Sequence, residues 1–458
     1  MPVTTTVPVS SLEFGNRIDA ELYRPALRKS FAKLFKAGFA VKRLGRLCAI
    51  RSGTTPPDRI DGLKAGPILF KTTDIRNGIT SRDGDYYRIS DEIHHRMAKT
   101  QLQDRDVLLN IVGATLDVIG RSAFVVGLRD EANITQAMVL LRCRTPEVLP
   151  GYLFAYLNTK FGQDQIARYA RPTGQYNLNL QEVGHICIPL LPPQQQQTIE
   201  QLLISAARSQ EASTTCYSEA QQSLEHELRL DKLTFKKPVG YTARLSEIEV
   251  SRRFDPEHYF PSFRALRAKL PTGISLLPLS NYLDFCQRGK QPFYSKTGLP
   301  VINSKHVQSN RVISDGNRLA RANPDANLQI RFGDTLLNGT GRGTIGRAAP
   351  YLTKALSIAD NHVTILRTSK LDPAYLALYL NSPAGQMQVE IHQRGSSGQL
   401  ELYPFDIRKF LVWPAPPEFQ LEIRRLHDMA AAAERKSQLL LEQARSRVEE
   451  LIEEAVQQ

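Results

Sequence analysis

A chain of 458 residues is too long for one ordinary core, and 41% hydrophobic with 23% charged residues excludes a disordered polymer or a membrane-embedded bundle. No apolar run approaches the ~18 residues of a membrane span, and Met1 to Thr6 has neither the basic nor the apolar region of a signal peptide, so a cytoplasmic protein is expected. The net charge is +13, and the five scattered cysteines, without a CxxC pair, point to a reducing compartment and away from zinc or a disulfide framework.

The chain reads as one plan written twice. Arg17-Ile18-Asp19 through Tyr23 and Pro25 returns as Arg253-Phe254-Asp255 through Tyr259 and Pro261, each leading into a short basic helix. Strand signals with turn-rich loops follow, Pro67 to Ile75 in one half and Leu299 to Val307 in the other. Asp106-Val107-Leu108-Leu109-Asn110 matches Asp334-Thr335-Leu336-Leu337-Asn338, and Ile119-Gly120-Arg121 matches Ile345-Gly346-Arg347. Compact helices are expected over Gly151 to Tyr169 and Pro373 to Gln393, and each half then reaches a Gly-Gln pair, Gly174-Gln175 and Gly398-Gln399. Self-similarity over half the chain means a duplicated unit, not a solenoid.

Each half ends in a predicted long helix. After Leu191-Pro192-Pro193 no Gly or Pro interrupts the chain to about Leu233, and small or apolar residues recur at Ile199, Leu202, Ala206, Ser209, Ser213, Cys216, Ala220, Leu224 and Leu228. Steps of three and four are the seam of a coiled-coil helix, here of about forty residues and roughly 60 Å. Adding 224 to each position up to Leu224 gives the second seam: Ile423, Leu426, Ala430, Ala433, Ser437, Leu440, Ala444 and Val448, continuing to Leu451. Two helices of matched phase predict an antiparallel or crossed pair. The expected division is residues 1–190 and 235–415 as globular α+β domains, with 191–234 and 416–458 as the helices. The first helix holds six acidic and three basic residues and the second nine and six, each net −3, so the remainder carries +19. That is the footprint of a polyanion-binding surface.

No catalytic constellation is legible. Gly341-Arg342-Gly343-Thr344-Ile345-Gly346 spells GxGxxG, but Arg347-Ala348-Ala349-Pro350 does not open a dinucleotide-binding helix, so a tight turn is expected. There is no phosphate-binding P-loop, and Thr55-Pro56-Pro57-Asp58 does not supply an adenine-methyltransferase loop. The adjacent His94 and His95 lack partners at ligand spacing. The polar loops are the candidates for DNA contact, because Arg reads guanine, Gln or Asn reads adenine, and hydroxyls and backbone N–H groups anchor phosphates. In the first half these are Lys71, Thr72, Asp74, Arg76 and Arg121, with Arg171, Thr173, Gly174, Gln175, Tyr176 and Asn177. In the second they are Asn303, Ser304, Lys305, His306, Arg342 and Arg347, with Arg394, Ser397, Gly398 and Gln399.

The opening Leu191, Pro192, Pro193 and Gln197 of the first helix, its repeat Pro416-Pro417-Glu418-Phe419-Gln420, the D-x-L-L-N and G-R modules and the Gly-Gln loops resemble the specificity subunits of Type I restriction–modification systems. The resemblance spans the chain. It implies a fold of two target-recognition domains separated by two long helices packed as an antiparallel coiled coil, and a non-catalytic chain reading a bipartite, asymmetric site in double-stranded DNA. It further implies two methyltransferase (modification) subunits docked on the helices, restriction subunits through them, and S-adenosylmethionine on the methyltransferase partner, with no cofactor on this chain. The docking candidates are Ile199, Leu202, Leu224, Leu228, Ile423, Leu426, Leu440, Val448 and Leu451. The alternative is a specificity-like scaffold of another anti-phage assembly that does not methylate.

Overall fold

The computed structural model describes residues 6–12, 17–80, 84, 86–233, 240–314, 316–321, 325–395 and 400–457. It divides into two compact units, residues 1–212 with 433–458, and residues 213–432.

In the first unit β1 (Cys48–Ser52), β2 (Ile68–Phe70), β3 (Val107–Asn110), β4 (Val112–Gly113), β5 (Ser122–Phe124), β6 (Ala132–Ile134) and β7 (Met138–Cys143) precede two helices, α1 (Pro150–Leu157) and α2 (Lys160–Tyr169). The main sheet runs β1-β7-β3-β5 and ends on the short strand Gly78–Ile79, while β2 and β6 form a parallel pair. The hairpin β8 (Arg171–Thr173) and β9 (Gln175–Asn177) follows, and then the long helix α3 (Pro193–Glu227). In β3 the side chains alternate between two cores: Val107 and Leu109 join the tyrosines of α1, Leu108 joins Phe70 and Ile134. A strand covered on both faces reads as a continuous apolar run.

The second unit repeats the plan. Here β10 (Phe285–Arg288), β11 (Tyr294–Ile302), β12 (Leu319–Ala320), β13 (Asp334–Asn338), β14 (Ala348–Tyr351), β15 (Ser357–Ala359) and β16 (Val363–Arg367) precede α4 (Pro373–Asn381), α5 (Pro383–His392) and the final helix α6 (Pro417–Gln457). The sheet order β10-β16-β13-β14 reproduces β1-β7-β3-β5, and β11 pairs with β15 in parallel as β2 does with β6. Leu337 and Leu366 face one core, Leu336 and Ile365 the other.

Tyrosines carry the approach to each long helix. Tyr152 and Tyr156 donate to the carbonyls of Pro189 and Cys187, and Tyr375 and Tyr379 do the same to Trp413 and Leu411. Gln165 clamps the backbone N–H and C=O of Cys187, as Gln388 does for Leu411. These buried hydroxyls and amides satisfy backbone groups that enter the helix from an apolar core.

Helices α3 and α6 begin at Pro193 and Pro417, the predicted 224 residues apart, each with a proline in the first turn where its missing N–H costs nothing. In the first unit Ile199 and Leu203 near the start of α3 share a core with Ala444, Val448, Leu451 and Ile452 near the end of α6. In the second, Ala220, Leu224 and Leu228 share one with Ile423 and Leu426. Start with end in each unit is the arrangement of an antiparallel pair. Leu202 and Leu440 are half-buried, while Leu203 and Ile452, absent from the predicted seam, are buried.

Two expectations are corrected. The first helix does not reach Leu233: it stops at Glu227, and Arg229 takes a left-handed conformation (φ 52°) before a short 3-10 turn, Leu230–Lys232. Leu228 and Leu230 are both buried, and residues two apart lie on opposite sides of a continuing helix, so the chain turns to bury both. The two helices are therefore 35 and 41 residues long. The second correction concerns glutamine. Gln196, not Gln197, matches Gln420: Gln196 is buried, accepts from Leu149 N–H at 2.9 Å and donates to the carbonyls of Glu147 and Leu191, whereas Gln197 is exposed. Gln420 likewise accepts from Asp372 N–H and donates to Ala415. The 224-residue offset that pairs Pro192-Pro193 with Pro416-Pro417 selects Gln196 from the run of four.

Candidate nucleic-acid interface

The D-x-L-L-N modules are the girders on which the candidate loops hang. At one end, Asp106 receives Arg142 bidentately at 2.7 and 2.8 Å, and Asp334 receives Arg367 at the same distances. At the other end the fully buried Asn110 donates from Nδ2 to Thr72 O at 3.1 Å and Val118 O at 3.3 Å. Asn338 donates to Ser304 O at 3.0 Å and Val307 O at 3.1 Å. Each asparagine also exchanges backbone hydrogen bonds with the Gly-Arg pair that follows, Gly120-Arg121 and Gly346-Arg347. Those glycines sit at φ 83° and 82°, and a Cβ would come within 2.8 Å of Ile166 or Val389, which explains the residue type. One end of each sheet thus gathers two loops: residues 71–76 with 113–121, and residues 303–308 with 339–347.

The first unit adds the β8–β9 hairpin, turned at Gly174 (φ 80°), whose second strand pairs with β4 at Tyr176–Gly113 and Asn177–Val112. Arg76, Gly174 and Gln175 are exposed, and so is Lys71, its ammonium 3.9 Å from the Tyr87 ring centroid. Thr72 and Tyr176 are half-buried, and Asn177 donates to Gln175 O. Thr173 forms the last residue of β8. Arg121 is folded back on Asp117, donating to its carbonyl at 2.7 Å and its carboxylate at 3.0 Å. The Thr115 hydroxyl and Arg121 hold that carboxyl below the usual range.

In the second unit the GxGxxG stretch forms the expected turn, with positive φ at Gly341, Gly343 and Gly346 and Arg342 exposed between the first two. Backbone bonds from Gly341 N to Leu400 O and from Leu402 N to Gly339 O join it to the segment beyond residue 399. Lys305 is exposed, and Arg347 reaches Gln308 Oε1 at 3.0 Å. Ser397, Gly398 and Gln399 lie outside the described residues.

Five further candidates have internal occupations. Arg171 donates to Glu182 at 2.6 Å and Arg394 to Asp406 at 2.7 Å, and each carboxylate is only 1% exposed. Buried acids need those cations, so both guanidiniums are structural partners before they are readers. Asp74 accepts from Lys71 N–H at 2.7 Å and from Thr73, closing its turn. His306 is buried and accepts from Asn303 N–H through Nδ1, while Asn303 accepts from Lys305 N–H. Burial, aided by Lys305, holds the imidazole below its ordinary pKa and neutral, pinning the loop. His94, by contrast with any ligand role, is buried against Asn133.

The Arg-x-Asp echo proves to be structural as well. Arg17 and Arg253 each grip the aspartate two residues on and the carbonyls that end α2 or α5, and Tyr23 and Tyr259 donate back to the arginine carbonyls. Next to this node burial pushes His392 from 6.5 to about 4, with Asp406 pulling the other way and His258, Arg253 and Lys409 adding to the fall. A neutral folded imidazole faces an unfolded one that binds a proton near 6.5. Stability is therefore complete above about pH 6.5 and is lost as pH falls toward 4. Thermal unfolding followed by Trp413, the single tryptophan and part of the second unit's core, is expected to fall across that window, and His392→Phe to flatten it.

Among the described residues no group of three or more His, Cys, Asp or Glu is placed to hold a metal ion, and no helix is long and apolar enough to cross a membrane.

No protein-family model matches the chain, and no curated protein does. Solved structures do show similarity. The Type-I restriction-modification system S subunit from M. genitalium is 10% identical, with 90% of this chain and 96% of that one covered and a TM-score of 0.41. The HsdS subunit from Thermoanaerobacter tengcongensis is 14% identical, with 91% and 96% covered and a TM-score of 0.28. A structure described under complex assembly and conformational transition of the type I R-M system is 15% identical, with 92% and 97% covered and a TM-score of 0.32.

Proposed function

We propose that this chain is the DNA-reading specificity subunit of a Type I restriction–modification assembly. Each unit reads one half of a bipartite site in double-stranded DNA. Two methyltransferase subunits dock on the long helices and bring S-adenosylmethionine, restriction subunits join through them, and the assembly works in the cytoplasm. This chain positions the chemistry and performs none of it.

One observation carries the reading: the same girder is built twice, with different loops hung from it. Asn110 and Asn338 hold equivalent loops by one equivalent amide bond, to Thr72 O and Ser304 O, yet one unit presents Lys71 and Arg76 where the other presents Lys305 and Arg342. A duplicated framework with divergent exposed donors is what two half-sites of different sequence require. The +19 carried outside residues 194–233 and 418–458 supplies the sequence-independent attraction to phosphate.

The test is a map of N6-methyladenine in host DNA. The wild-type chain marks one bipartite, non-palindromic motif. Arg342→Ala relaxes one half of it, by roughly 10- to 100-fold at one or two positions, and leaves the other half strict. Relaxation of both halves, or of neither, removes Arg342 from the reading loops.

A further inference from the structure

The second unit carries one element that the first does without. Tyr294 and Leu299 of β11 both face Ala320 of β12, so Ser295–Gly298 is extruded from the strand as a four-residue bulge. Gly298 makes this possible at φ 135°, where a Cβ would lie 2.1 Å from Ala320 O. Immediately before the bulge stands Phe293, 82% exposed, its carbonyl held by Arg321 N–H at 3.1 Å. The neighbouring ring, Tyr294, is 37% exposed and has the Arg318 guanidinium 3.4 Å from its centroid. Phe293 is left bare on a backbone fixed by a strand pairing.

Its surroundings are cationic. Residues 285–305 include Lys290 and Lys296 and contain no Asp or Glu, and Arg318 and Arg321 come from the partner strand. The fold does not need this element. Gly53 and Gly289 occupy the same place in the two units, each packed against a carbonyl of the parallel strand pair, Ile134 or Ala359. Between Gly53 and β2 the first unit runs through turns and carries Asp58 and Asp61. An exposed phenylalanine flanked by cations suits a polyanion with an apolar interior. Duplex DNA is that partner: phosphates outside, base faces within.

Resting on the function proposed above, we infer that Phe293 is a wedge that enters a base step of the half-site read by the second unit, kinking the duplex while the flanking cations hold the adjacent phosphates. Inserted apolar side chains unstack a step and bend DNA in this way, most readily at flexible pyrimidine–purine steps. The second unit then reads deformability as well as base edges, and the first does not.

The test uses the full chain and a duplex carrying the motif found by methylation mapping, with dyes at both ends. Phe293→Ala is expected to weaken binding about 10-fold, to leave the salt dependence unchanged and to abolish a bend seen by energy transfer. Phe293→Trp retains the bend. A single abasic position at the wedge step removes the stacking cost, so the wild type gains and the alanine variant, which does not unstack the step, gains less. Lys296→Ala lowers the salt slope by about one and keeps the bend. Equal affinity and equal bend for wild type and Phe293→Ala overturn the wedge while the specificity reading stands, and so does a Phe293→Ala defect confined to complex assembly. Failure of the wild type to prefer that duplex over random sequence overturns both.

Discussion

An Asp334→Ala chain is expected to lose about 3–5 kcal/mol of stability in its second unit. Asp334 lies at the start of β13, fully buried, and takes three hydrogen bonds: two from Arg367 and one from Arg331 N–H at 2.9 Å. The Arg367 side chain is 12% exposed, so removing the carboxylate leaves a mostly buried charge facing the backbone carbonyls of Asn327 and Gln329 and the Phe285 ring. The equivalent Asp106→Ala costs less, because the Arg142 side chain is 33% exposed and is solvated once released. Trp413 belongs to the second core, so its fluorescence separates the two. The Trp413 transition moves strongly for Asp334→Ala and stays in place for Asp106→Ala. Equal movement would contradict two independently cored units.

Gln196→Ala is expected to cost about 2–4 kcal/mol, and Gln197→Ala next to nothing. The amide of Gln196 satisfies one buried N–H and two carbonyls where α1 meets α3, and each group left unpaired costs about 1–3 kcal/mol. Gln197 is exposed. Denaturation of the two single variants decides which glutamine marks the repeat. A large effect at Gln197 and none at Gln196 would shift the register of the two helices by one residue and break the 224-residue correspondence.

The parts that repeat at fixed spacing were readable in the sequence. Pro193 and Pro417 announce the helix starts because proline suits the first turn and no later one. The three-and-four stepping gave most of the buried seam, but it missed Leu203 and Ile452 and included Leu202, Cys216, Ala433 and Leu440, which are half-buried. The end of α3 was not readable, because Leu228 and Leu230 look like helix residues until the core that takes both is known. Loop chemistry was the least legible. Arg171, Arg394, Asp74 and His306 are residue types that suit a ligand and suit equally the backbone or buried acid beside them. One signal was present: in both halves an arginine before the Gly-Gln pair is followed eleven or twelve residues on by an acid, Glu182 or Asp406. A pair kept in register across a duplication is more economically explained as structure than as readout, since the two halves read different bases. The same reasoning raises Arg76, Lys305 and Arg342, which do not recur in register, above Gln175, which returns as Gln399.

The most direct measurement is the N6-methyladenine map of the host genome with this gene and after its deletion. A single bipartite motif of two unlike halves, present with the gene and absent without it, is the predicted result. A map unchanged by deletion, in cells that express the chain, would contradict its role as a specificity subunit.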